Sequence, residues 1–119
     1  YNLPIKIFVL NNQYMGMVRQ WQELLHEKNY SESYSEALPD FVKLAEAYGA
    51  VGIRAKTPDE LDEKIKEMIN VDKPVIFDCV VDKAENCYPM IPSGKPHNQM
   101  LLGPEDEKEE VSDEGKTLV

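Results

Sequence analysis

Two adjacent amides and a nearby glycine are the residues of this chain best suited to chemistry, in the run Leu10-Asn11-Asn12-Gln13-Tyr14-Met15-Gly16-Met17-Val18. A neutral amide oxygen is a hard ligand that Mg²⁺ accepts beside carboxylate, carbonyl and phosphate oxygens. Gly16 removes side-chain bulk where a backbone must approach phosphate. If the Asn pair ends a strand and Gly16 opens a helix, the free N–H groups of the first helical turn suit a diphosphate. Ligands of open α/β sheets bind outside the carboxyl ends of strands. These parts are coherent for a metal–diphosphate site. On composition and spacing alone, Asn-Asn after a strand is more often a plain turn. No Walker-type loop, metal-spaced His pair or nucleophile motif competes, and the lone His26 and His97 read as surface residues.

The elements that must position this run follow from periodicity. Residues 5–10, Ile-Lys-Ile-Phe-Val-Leu, form a nearly continuous apolar run, as in a parallel strand covered on both faces. Met17, Trp21, Leu24 and Leu25 recur at helical spacing, predicting a helix that starts near Gly16 and fades by Lys28 with those residues inward. Residues 30–37 are polar and Ser-rich, a loop. Pro39 suits the first turn of a second helix, with Phe41, Val42, Ala45 and Tyr48 inward and Gly49 as its C-terminal cap. Residues 51–55 are a strand. Thr57-Pro58-Asp59-Glu60 opens a third helix through a capping box, and Leu61, Ile65, Met68 and Ile69 form its inner stripe. Residues 75–81 are the clearest strand. Beyond Lys83 the prolines and glycines imply an extended arm. The order β-α-α-β-α-β indicates an α/β three-layer sandwich with a parallel sheet. Three strands are few, and the chain opens almost directly into a strand, so further strands are expected on the N-terminal side.

The 119 residues suit one modest domain. The net charge of −9 disfavours nucleic acid and anionic membrane surfaces as partners, and no apolar run approaches the roughly 20 residues that span a bilayer. Seven acids against two lysines give residues 104–119 a net −5, so this stretch reads as a flexible acidic tail. Cys79 reads as a small buried hydrophobe, and with Cys87 it has no metal spacing or disulfide framework, which fits a reducing cytoplasm.

The run from Asn11 to Trp21, with its Gly-Met-Val-x-Gln-Trp continuation, resembles the closing half of the thiamin-diphosphate motif of acetolactate (acetohydroxyacid) synthases. Residues 38–49 resemble the middle helix of that family. Tyr88-Pro89-Met90-Ile91-Pro92-Ser93-Gly94 resembles its C-terminal arm. The resemblance covers residues 5–103. It implies the C-terminal portion of a thiamin-diphosphate- and Mg²⁺-binding domain at 1–86 and an arm over the active site at 87–103.

The resemblance also implies residue roles. Asn12 supplies a side-chain oxygen and Tyr14 a backbone carbonyl to Mg²⁺. Gln13, Met15, Gly16 and Met17 line the diphosphate and thiazolium end of the cofactor. Met17, Val18, Trp21 and Ser93 line a channel for substrate and for sulfonylurea and imidazolinone herbicides. Arg19 and Gln20 are read as solvent-facing or interface residues. The implied reaction condenses two pyruvates, or pyruvate and 2-ketobutyrate, with loss of CO₂. The implied catalytic Glu, the Asp of the motif's opening Gly-Asp-Gly and the FAD contacts are outside this chain, so the chain alone is expected to be inactive. A homodimer or homotetramer, a regulatory small subunit and a bacterial cytoplasmic location complete the expectation. The alternatives are another carboligase or decarboxylase of the same cofactor class, such as glyoxylate carboligase or oxalyl-CoA decarboxylase, and a non-enzymatic α/β interaction module.

Overall fold

The computed structural model describes residues 3–104; beyond Pro104, the expected acidic tail lies outside the described residues. The elements are β1 (Lys6–Asn11), α1 (Gly16–Leu25), α2 (Phe41–Ala47), β2 (Val51–Ala55), α3 (Pro58–Asn70) and β3 (Val75–Val80), then a short 3₁₀ turn at His97–Gln99. The order is the expected one. The chain divides into two compact units. Residues up to 14 join residues 35–84, and residues 15–34 join those from 85 onward.

The first unit holds a parallel sheet in the order β1-β3-β2. Ile53, Ala55, Val75, Phe77 and Cys79 face α3 and form the core with Met68, while Leu61 and Ile65 pack against it. Phe77 is fully buried, worth about 2–3 kcal/mol of transfer free energy. Successive strand residues alternate faces, so Gly52 points the other way, onto α2. The arrangement is the expected three-layer α/β/α sandwich.

β1 departs from the reading. Ile7, Phe8 and Leu10 are 46%, 41% and 68% exposed. The reason is position: β1 is an edge strand here, bonded only to β3. Phe8 still stacks on Phe77, ring centroids 4.6 Å apart.

Helix ends also refine the reading. Asp40, not Pro39, opens α2: its carboxylate accepts from the N–H groups of Val42 and Lys43, which leaves Pro39 before the cap. At the far end Gly49 takes φ +73. Its N–H donates to Glu46 O, and that of Ala50 to Ala45 O, the paired bonds of a Schellman ending. Tyr48, expected inward, is the C-cap and 84% exposed. In α3, Thr57 is the cap and Pro58 the first residue, but the Thr57 side chain makes no cap bond. Glu60 instead accepts from the Lys56 N–H at 2.9 Å and pairs with Lys64 at 3.3 Å. Those two contacts, the Lys56 N–H foremost, hold its carboxyl below the ordinary value. Ile69, expected inward, is exposed.

The second unit is α1 with the arm. Its buried residues correct two expectations. Arg19 and Gln20, read as solvent-facing or interface residues, are buried within the unit, while Met17, expected inward, is half exposed. Hydrogen bonds and an ion pair make that burial tolerable. Gln20 Oε1 accepts from the Cys87 N–H at 2.7 Å, and its Nε2 donates to Cys87 O at 3.0 Å and to Met90 Sδ. Arg19 donates to Asn86 Oδ1 at 2.8 Å, pairs with Glu23 at 2.6 Å and lies over the Tyr30 ring. The arm is not simply extended: an antiparallel bridge between Met90 and Leu101 closes it into a loop and buries Leu101. Among the described residues no helix is long and apolar enough to cross a membrane.

A Cβ on Gly52 would meet Val42 Cα at 2.6 Å and Val42 O at 2.7 Å, both backbone atoms. Gly52→Ala must push α2 off the sheet, a cost of about 1–3 kcal/mol. Chemical denaturation of the variant should show its midpoint falling with an unchanged slope. A wild-type midpoint would contradict the α2–sheet packing.

Candidate functional site

The tip of β1 is built by two asparagines in different ways. Asn11 Nδ2 donates to Asp78 Oδ1 at 2.9 Å, and Asn11 Oδ1 accepts from the Gln13 N–H at 3.1 Å. Both halves of that amide are engaged within the protein. Asn12 Oδ1 accepts from the Tyr14 N–H at 3.1 Å. An amide oxygen has two lone pairs, so one bond leaves acceptor capacity. Between them Gln13 stands at φ +59, a left-handed conformation that costs a non-glycine residue roughly 1–2 kcal/mol. The bond from its N–H to Asn11, and the one its carbonyl accepts from the Ser35 N–H at 2.8 Å, help hold it there.

Asn12 is half-buried on the wall of a depression of about 160 Å³, lined by residues 9–14 with Ser35, Leu38 and Phe41. Asn12 is therefore neither fully buried nor sealed off from the surface. Among the described residues no cluster of three His, Cys, Asp or Glu side chains could hold a metal. An ion bound at this tip would draw on amide, carbonyl and phosphate oxygens, the set that suits Mg²⁺. Asn12 fits that requirement.

Behind the tip lies a polar row that the sequence reading did not identify. Asp78 is 1% exposed inside β3. Its Oδ2 accepts from Arg54 Nε at 2.7 Å, and Arg54 also reaches Asp40 Oδ1 at 2.8 Å. Arg54 stands opposite Asp78 in the ladder, and so does Val9 of β1. The bond to Asp78, then that to Asp40, raise the Arg54 pKa against the opposing effect of burial. Asp40 sits below its ordinary value: partial desolvation pushes it up, but the Lys43 N–H, Arg54 and the Val42 N–H outweigh that. Burial pushes the Cys79 thiol up, and the neighbouring Asp78 charge adds to it. The available signal was a lone acid inside an apolar strand, which must have a partner, and an arginine in the next short strand.

In the second unit, Met15 is the N-cap of α1 and makes no side-chain cap bond; no acid occupies the first turn, which Gly16 opens. Such an end suits an anion. Met17, Val18 and Trp21 line an open groove of about 830 Å³ with Gln22, Leu25, His26, Glu27 and Asn29. Ser93, half-buried on the arm, is not among the described residues lining that groove. His26, set aside as a surface residue, does line it. The i, i+4, i+8 spacing of Val18, Gln22 and His26 carried that information.

Residues 1–79 match the family model described as the thiamine pyrophosphate enzyme, C-terminal TPP binding domain. The chain belongs to this family. Among curated relatives it is similar to the acetolactate synthase large subunit of Cyanidium caldarium, 49% identical over 102 residues, covering 85% of this chain and 17% of that protein. It is likewise similar to the acetolactate synthase large subunit of Haemophilus influenzae, 44% identical over 109 residues, covering 91% of this chain and 19% of that protein. Among solved structures it is similar to a thiamine diphosphate-dependent 4-hydroxybenzoylformate decarboxylase from Rhodococcus jostii RHA1. The TM-score is 0.59 at 27% identity, covering 71% of this chain and 16% of that one. The chain thus spans less than a fifth of each relative's length. As a TPP-binding domain of this family, it presents Asn12 at the tip of its edge strand, and its first unit has the parallel α/β architecture expected.

The two-point bond from Gln20 to Cys87 yields a prediction within the second unit. Gln20→Ala should cost about 1–3 kcal/mol by leaving backbone groups without partners. Hydrogen exchange should show the Cys87 amide losing protection in that variant; unaltered protection would mean that the bond is not formed.

Proposed function

We propose that this chain is the cofactor-binding portion of an acetolactate synthase catalytic subunit, which condenses two pyruvates, or pyruvate and 2-ketobutyrate, with loss of CO₂. The 49% identity to an acetolactate synthase large subunit carries the reading, and the geometry of Asn12 supports it. Asn12 Oδ1 would hold Mg²⁺, joined by the backbone carbonyl of Tyr14, and the ion would anchor the diphosphate. Gln13, Met15, Gly16 and Met17 would line the diphosphate and thiazolium end. The bound thiamin diphosphate supplies a ring that accepts the electron pair released when a 2-keto acid loses CO₂. The chain's own part is to bind, orient and exclude water. Met17, Val18 and Trp21 would give the substrate channel apolar walls.

The whole protein would further contain FAD, the activating Glu and the Asp of the opening motif. It would assemble as a homodimer or homotetramer with a regulatory small subunit. Free Cys79 and Cys87 are compatible with a reducing bacterial cytoplasm. By itself the chain would be catalytically inactive, its roles being binding and positioning. A decarboxylase reading has one observation in its favour, the likeness to the 4-hydroxybenzoylformate decarboxylase, at markedly lower identity.

Incubating the whole protein with pyruvate, thiamin diphosphate and Mg²⁺ decides between them. Acetolactate is the expected product; free acetaldehyde alone would favour simple decarboxylation. Asn12→Ala should raise the Mg²⁺ concentration for half-maximal activity about 100-fold or more, the loss of one inner ligand exceeding the roughly 10–100-fold effect of an outer partner. An unchanged Mg²⁺ requirement would refute the role of Asn12. Trp21→Leu should weaken sulfonylurea inhibition, and an identical inhibition curve would remove Trp21 from the channel.

A further inference from the structure

We propose that Asp78 is a positioning residue for the metal-holding tip of β1, acting through Asn11. The inference rests on the reading of Asn12 as a metal ligand and names the device that orients it.

Asn11 and Asn12 are adjacent, yet only Asn11 is committed to the protein at both ends of its amide. Its orientation is determined chemically. The Asp78 carboxylate can only accept and the Gln13 N–H can only donate, so Nδ2 must face Asp78 and Oδ1 must face Gln13. Asn11 therefore ties the middle of the sheet to the turn beyond the edge strand. Through its oxygen it holds the Gln13 N–H while Gln13 occupies the left-handed region. The next bond in the turn, Tyr14 N–H to Asn12 Oδ1, orients the Asn12 amide itself.

This tie is separate from the ladder bonds between β1 and β3 and reaches past the end of the strand into the turn. Asp78 is the fixed point. It sits on the central strand, 1% exposed, and Arg54 clamps its other oxygen at 2.7 Å. Arg54 is itself tied to Asp40, the cap of α2. The row Asp40–Arg54–Asp78–Asn11 thus runs from the far helix to the residue beside Asn12. Partners that hydrogen-bond a ligating group directly alter metal affinity by about 10–100-fold when removed; Asp78 acts one bond further out, so the lower end of that range is expected.

The test uses the whole protein with thiamin diphosphate, with Mn²⁺ as a paramagnetic probe of the Mg²⁺ site. Asn11→Asp keeps the acceptor for Gln13 but sets a carboxylate against Asp78. Mn²⁺ affinity should fall about tenfold or more, and the Gln13 amide should exchange faster. Asp78→Asn should weaken Mn²⁺ similarly by presenting its own amide to that of Asn11. The double variant Asn11→Asp with Asp78→Asn restores a donor–acceptor pair in reversed sense. It should bind Mn²⁺ to within about threefold of wild type, far less than the loss expected on removing an outer partner. Should Asp78→Asn fail to fold, Asn11→Asp and the double variant still carry the test. A merely structural role predicts lowered melting temperatures with unchanged Mn²⁺ affinity, and that result would overturn the proposal. If Asn12→Ala weakens Mn²⁺ while the Asn11 and Asp78 variants do not, the positioning role fails alone. If Asn12→Ala leaves Mn²⁺ binding untouched, the metal assignment fails and the positioning role with it.

Discussion

A carboxylate inside an apolar sheet is the constraint on which the first unit depends. Asp78 lies on the central strand between Phe77 and Cys79, which are buried in the core on the opposite face. A charge so placed is tolerated only if it is paired and hydrogen-bonded. Arg54 supplies the counter-charge from β2, and Asn11 supplies a neutral donor from β1. The central acid thereby joins all three strands on one face of the sheet. The same pairing fixes the identity of Asn11, because an aliphatic side chain there would leave a buried oxygen without its donor. What looks like a repeated turn residue is a division of labour. One amide is spent on the fold, and its neighbour keeps acceptor capacity at the wall of a depression.

The second unit obeys a similar rule. Gln20 and Arg19 are buried because each finds its partners on the arm or within α1. That inverts the ordinary amphipathic logic of a helix. The polar residues turn inward, and Met17 and Val18 stay half exposed beside the groove.

Much of this was legible beforehand, and the failures have a common cause. Element order, strand positions and the Gly49 ending follow from local periodicity and backbone preference, which act within a few residues. The Asn-Asn-x-x-x-Gly run was legible as a strand end followed by a helix start, because those signals are local as well. Ile69 and Tyr48 were misplaced where a helix stripe broadened past the width of its contact with the sheet. β1 was read as covered because an apolar run reports hydrophobicity and not the number of neighbouring strands. The inward turn of Arg19 and Gln20 was hidden, since their partners lie 67 residues away in Asn86 and Cys87. The Asp78 row was missed for the same reason, Asn11 being 67 positions from its acceptor. Long-range polar pairing leaves only an oblique trace in sequence, a charged residue where an apolar one is expected.

Family membership rests on residues 1–79, while the proposed role of Asn12 comes from the family resemblance and is supported by its amide chemistry and the geometry of one strand tip. The most direct measurement is a crystal structure of the whole protein with thiamin diphosphate and Mg²⁺. The account predicts Asn12 Oδ1 in the inner coordination sphere at about 2.1 Å, with the Asn11 amide still bonded to Asp78. An ion held by Asn11 instead, or an Asn12 oxygen more than about 3 Å from the metal and so outside direct coordination, would contradict it.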